Sequence, residues 1–143
     1  MKEKIKVRYI GKYKWLLEED YLHPLGYKCV PIVTEYIILI NGVLEIREGY
    51  AWNGANFVRD TETNRRASLV HDALYQLMNL GLLPKSFRKI ADKEYLKAFR
   101  EDCAEKYKDR PRLLRLCWFR SGYQYYGLKK FGYFWARKKK RAA

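Results

Sequence analysis

At 143 residues the chain has the length of one domain, and its 48% hydrophobic content excludes wholesale disorder. The net charge of +14 is unevenly placed: residues 1–84 hold 11 Lys/Arg against 10 Asp/Glu, whereas residues 85–143 hold 19 against 6. The C-terminal part is therefore the half that an anionic partner, nucleic acid or lipid surface, would meet.

Three cysteines, Cys29, Cys103 and Cys117, are odd in number and lack metal-knuckle spacing. That pattern predicts neither a disulfide framework nor a zinc site, and suits a reducing compartment. Residues 1–6 have no apolar run behind their charges, and no stretch of about 20 apolar residues follows, so neither a secretory signal nor a transmembrane segment is expected.

In chain order, residues 4–10 alternate charged and apolar side chains and residues 15–17 begin a second apolar run. His23, in Leu22-His23-Pro24, reads as a solvated turn residue. Ile37–Ile40, then Asn41-Gly42, then Val43–Ile46 reads as a β-hairpin with a two-residue turn. Gly49 to Asn64 reads as the longest irregular stretch, punctuated by Asn53-Gly54.

From Thr63 the period becomes helical: Ala67, Val70, Leu74, Leu77 and Met78 recur on one face until Gly81, the expected C′ residue. Pro84 and Ser86, the latter as N-cap, announce a second helix with the stripe Phe87, Ile90, Ala91, Tyr95, Ala98, Phe99 and Cys103. Pro111 opens a third helix that turns aromatic before Gly127. Arg137 to Arg141 forms a mobile basic tail in this reading. The expected fold is α+β, one domain over 1–143: a small N-terminal antiparallel β-sheet (1–50) packed on a C-terminal three-helix part (63–132), then the basic tail (136–143).

The chemistry concentrates in Val70-His71-Asp72-Ala73-Leu74-Tyr75 and in Ala91-Asp92 one helix later. On antiparallel helices, His71 and Asp92 meet across the interface, and Tyr75 lies one turn from His71. A buried carboxylate needs partners, and His71 and Tyr75 are the expected ones. Asp92 would fix the imidazole tautomer and raise its basicity, leaving the second ring nitrogen to take a proton from water. Asp72, with backbone carbonyls around Asn53 and Gly54, would offer oxygen ligands to calcium. The catalytic reading requires that second nitrogen to reach solvent; packed surroundings would make the cluster a structural network.

The pattern His71-Asp72-x-x-Tyr75, a short turn, then Ala91-Asp92 on an antiparallel helix resembles the catalytic core of phospholipase A₂, most closely the compact form in parvovirus capsids. The resemblance implies His71 as general base, Asp92 as its orienting partner, Tyr75 as a support for Asp92, and Asp72 as calcium ligand. It covers residues 49–99, and the loop departs from the glycine-rich calcium loop of those enzymes, keeping only Gly49 and Gly54.

A second resemblance spans residues 15–132. Trp15-Leu16-Leu17-Glu18, Gly49-Tyr50, Asn53-Gly54-Ala55-Asn56, Arg66–Asp72, Ala91-Asp92 and Phe131-Gly132 together look like a bacteriophage and prophage family known as domain of unknown function 1353. That likeness implies a phage origin, residence in the host cytoplasm or the phage particle, and other virion proteins as partners; it implies no particular activity. Two functional expectations therefore stand side by side: a phospholipase-like ester hydrolase, or a non-catalytic virion or nucleic-acid-associated protein.

Overall fold

The hairpin is where local chemistry dictates structure most directly. In the computed structural model, which describes residues 4–11, 14–54 and 60–142 (side chains only to residue 130), Asn41 and Gly42 carry φ values of 52° and 75°. This left-handed pair matches the twist of flanking strands, and Asn and Gly adopt it at least cost. Ile37–Ile40 and Val43–Ile46 pair antiparallel across it.

Seven strands form: β1 (Val7–Gly11), β2 (Lys14–Leu17), β3 (Tyr21–Pro24), β4 (Ile32–Val33), β5 (Ile37–Ile40), β6 (Val43–Ile46) and β7 (Ala51–Trp52). They make two antiparallel sheets, in the orders β1-β2-β7 and β3-β6-β5-β4. Alternation aims Tyr21, His23, Ile32, Ile37, Leu39, Leu44 and Ile46 inward, and all are buried. His23 is thus on a strand, not in a solvated turn. It is 4% exposed, and its Nδ1 lies 2.9 Å from the Tyr21 hydroxyl. Tyr21 and His23 lie two residues apart on one sheet face, so the ring goes in and takes its partner with it. The stretch expected to be irregular holds β7, and Gly54 takes a positive φ of 72°.

Three helices follow: α1 (Glu62–Asn79), α2 (Arg88–Lys106) and α3 (Pro111–Ala142). At the start of α1, Asn64 Oδ1 accepts the Thr61 N–H at 2.8 Å, satisfying one orphan donor. At its end Gly81 has φ 74°. Leu82 N–H bonds Leu77 O at 2.9 Å and Gly81 N–H bonds Met78 O at 3.1 Å, the reciprocal pair of a Schellman cap. Ser86 does not cap α2; it lies within a short 3₁₀ turn, Lys85–Phe87, that leads straight into the helix. The basic run at 137–141 is continuous with α3 rather than a separate tail.

By internal packing the chain falls into two compact units, residues 1–56 and 57–143, so the sheets and the helices each carry a core of their own. In the helical unit, Ala67, Tyr95, Ala98, Phe99, Cys103 and Cys117 pack together. Contrary to the cysteine-based expectation, Cys103 of α2 and Cys117 of α3 form a disulfide, with Cα atoms 5.8 Å apart; Cys29 is free. Both cysteines also belong to the apolar stripes that bring α2 against α3, so helix packing itself juxtaposes them.

Two buried polar linkages join the helices. Arg66 of α1 is 6% exposed and grips Asp102 of α2 through Nε (3.2 and 3.1 Å) and a terminal nitrogen (3.0 Å), which also donates to Ala98 O at 3.1 Å. Gln124 of α3 accepts from the Tyr95 hydroxyl at 2.8 Å and from Asn64 Nδ2 at 3.3 Å. Among the described residues no helix is long and apolar enough to cross a membrane.

Candidate functional site

The α1–α2 interface builds the site. His71 and Tyr75 are one turn apart on α1, and their rings stack at 4.2 Å between centroids. Tyr95 of α2 meets the imidazole edge-on at 5.7 Å. Walled by these rings, His71 Nε2 lies 2.8 Å from Asp92 Oδ1, and the Tyr75 hydroxyl donates to the same oxygen at 2.9 Å. Asp92 is 2% exposed. A carboxylate so deep is tolerated because both donors converge on it. The expected meeting of residues 71, 75 and 92 is present.

The other nitrogen, Nδ1, points toward Asp72 Oδ1 at 3.7 Å, an ion-pair distance too long for a direct hydrogen bond. Asp72 retains 30% side-chain exposure against 10% for His71. The Nδ1 edge of the imidazole therefore faces a carboxylate that is partly exposed.

These surroundings shift the protonation equilibria in a consistent sense. Burial disfavours the imidazolium, but the carboxylates of Asp72 and Asp92 more than offset it and hold His71 above its ordinary value. Burial pushes the Asp72 carboxyl up, with His71 opposing. Burial, followed by the Asp92 charge, drives the Tyr75 hydroxyl far above the usual phenol range, so it stays a donor. Tyr95 is raised chiefly by burial, then by the charges of Asp72 and Asp60.

The remaining expected ligands, Asn53 and Gly54, belong to the N-terminal unit, whereas Asp72 belongs to the helical one. Among the described residues no group of three or more His, Cys, Asp or Glu side chains is placed to hold a metal ion. Asp72 is the carboxylate through which the imidazole edge and a hard cation could share one neighbourhood; calcium requires 6–8 oxygens, so carbonyl or water oxygens would have to supply most of them.

Two further contributors have no distinctive sequence signature. Tyr95 lies in the apolar stripe of α2, yet it borders the imidazole and reaches Gln124. Its register, one turn from Asp92, was the available signal. Arg66 lies one turn before the site and ties α1 to α2, but its acid partner is 36 residues away and leaves no local trace. No protein-family model, curated protein or solved structure matches this chain.

Proposed function

We propose that the chain is a phage-type ester hydrolase, resembling phospholipase A₂, in which His71 activates water. The observation that carries this reading is the pair of contacts on one ring: Nε2 on buried Asp92 at 2.8 Å and Nδ1 toward partly exposed Asp72 at 3.7 Å. With Nε2–H donating to Asp92, the lone pair sits on Nδ1, where a base is needed. A water beside Nδ1 gives its proton to the ring as its oxygen bonds to the ester carbonyl carbon. When the tetrahedral adduct collapses, the bond to the alcohol oxygen breaks and the imidazolium returns the proton to that oxygen. Asp92 stabilises the imidazolium formed in between, and Tyr75 keeps Asp92 in place. A calcium ion held by Asp72 belongs to the same proposal; it would polarise the ester carbonyl.

Fatty-acid release from phosphatidylglycerol vesicles, with and without calcium, tests this. The wild-type protein should release acid, and His71→Gln should lower the rate about 10²–10⁴-fold, the usual worth of a positioned base. Equal release from both proteins would remove the enzyme reading.

One observation favours a second reading, a non-catalytic virion or nucleic-acid-associated protein. The His71 side chain is only 10% exposed and stacked on Tyr75, as in a structural network. Under that reading His71→Gln costs stability, and no ester is cleaved by either form.

A further inference from the structure

The outward face of α3 is built unlike the rest of the helical unit. Leu116, Phe119, Tyr123 and Tyr126 are 53%, 72%, 72% and 65% exposed. At 100° per residue they fall within a sector of about 80°, and at 1.5 Å per residue they make a ridge about 15 Å long. Arg112 and Lys130, both exposed, continue the same sector at its two ends, and exposed Arg115 flanks it. Opposite the ridge, Cys117, Ser121 and Gln124 are buried, so packing against α2 holds the rings outward. The Lys130 ammonium sits 5.9 Å from the Tyr126 ring and the Lys129 ammonium 6.0 Å from the Tyr125 ring. From Pro111 to Ala142 the helix carries ten Lys/Arg and no Asp/Glu.

We propose that this ridge is a docking surface for an anionic phospholipid bilayer, on which α3 lies in the plane of the interface. The charge of the helix selects an anionic partner. The shape selects lipid over single-stranded nucleic acid: the rings stand on a convex ridge with cations at its ends, which suits rings in the acyl boundary and cations at headgroup phosphates. A strand of bases needs a basic groove with rings spaced along it. Tyrosine fits the boundary because its ring is apolar and its hydroxyl remains wet. The inference does not depend on ester hydrolysis.

The test is co-sedimentation of the full chain with vesicles of phosphatidylcholine alone or mixed with phosphatidylglycerol, with an oligodeoxythymidylate binding arm at the same ionic strength. Binding should require phosphatidylglycerol. Arg112→Gln with Arg115→Gln should weaken it about fivefold per cation removed. Phe119→Ser with Tyr123→Ser, both at exposed positions, should weaken it about tenfold or more with unchanged circular dichroism. His71→Gln should bind vesicles like the wild type, so loss of hydrolysis and loss of docking read separately. Unchanged binding of the Phe119/Tyr123 variant would overturn the proposal. So would tighter binding to the oligonucleotide than to the vesicles.

Discussion

Replacing Asp92 by Asn removes one negative charge from a nearly sealed position while keeping its shape. In the native protein one oxygen, Oδ1, receives both His71 Nε2 and the Tyr75 hydroxyl, at 2.8 and 2.9 Å. The amide oxygen keeps two lone pairs and can still accept both, but as a neutral acceptor it holds each donor more weakly than the carboxylate does. Two charge-assisted bonds become neutral ones, which sets an expected loss of about 1–3 kcal/mol in urea unfolding. The pH dependence has a definite sign. His71 in the folded protein titrates above its ordinary value of 6.5 because Asp72 and Asp92 outweigh burial. Its stabilising contribution is therefore complete below the unfolded value and fades as pH rises through the folded one. In Asp92→Asn one carboxylate is gone while burial remains, so the folded value drops and the acid-side contribution shrinks. The variant should lose more stability at about pH 5.5 than at about pH 8.5, a window set by the direction of that shift. Of the two histidine ring signals in a proton NMR titration, that of His71 should move to lower pKa. Equal losses at both pH values with an unmoved His71 titration would refute the reasoning.

Other substitutions probe the frame that holds the site. Arg66→Ala should cost about 1–3 kcal/mol in urea unfolding, because partly exposed Asp102 loses the charge-assisted bonds of a forked partner at the α1–α2 interface, and Arg66→Lys should recover only part of it. Replacing Cys103 and Cys117 by Ser should lower stability by about 3 kcal/mol, as expected for a closed loop of this length; a reductant should reproduce the loss in the wild type and leave the double variant unchanged. Gly42→Ala should lower the thermal midpoint by a few degrees, since the residue sits at φ 75° and an added Cβ would lie 3.2 Å from Tyr27 O.

The readable parts of the chain were those where the signal is local. The Asn41-Gly42 turn and the α1 stripe from Ala67 to Met78 follow from residues within a few positions of one another, and both formed as expected. The α+β division followed from the change of period near Thr63. Short strands were harder: β4 and β7 have two residues each, too few for an alternation to register. Pro24 suggests a turn at His23, but His23 shares a buried strand face with Tyr21. Cysteine count and compartment say nothing of the disulfide, because α2–α3 packing alone brings Cys103 to Cys117. At the site, helical register was enough to bring residues 71, 75 and 92 together. The direction of Nδ1 was not legible, because it depends on the rotamer that Tyr75 and Tyr95 impose on the ring.

Ester hydrolysis at this site requires that the imidazole at position 71 offer its lone pair at Nδ1. A long-range proton–nitrogen NMR spectrum of the histidine rings, recorded above the His71 pKa, reads the tautomer directly. The proton should lie on Nε2, toward Asp92, with Nδ1 bare. A proton found on Nδ1 in the neutral ring would contradict it and leave the His71–Asp92 pair with a structural role only.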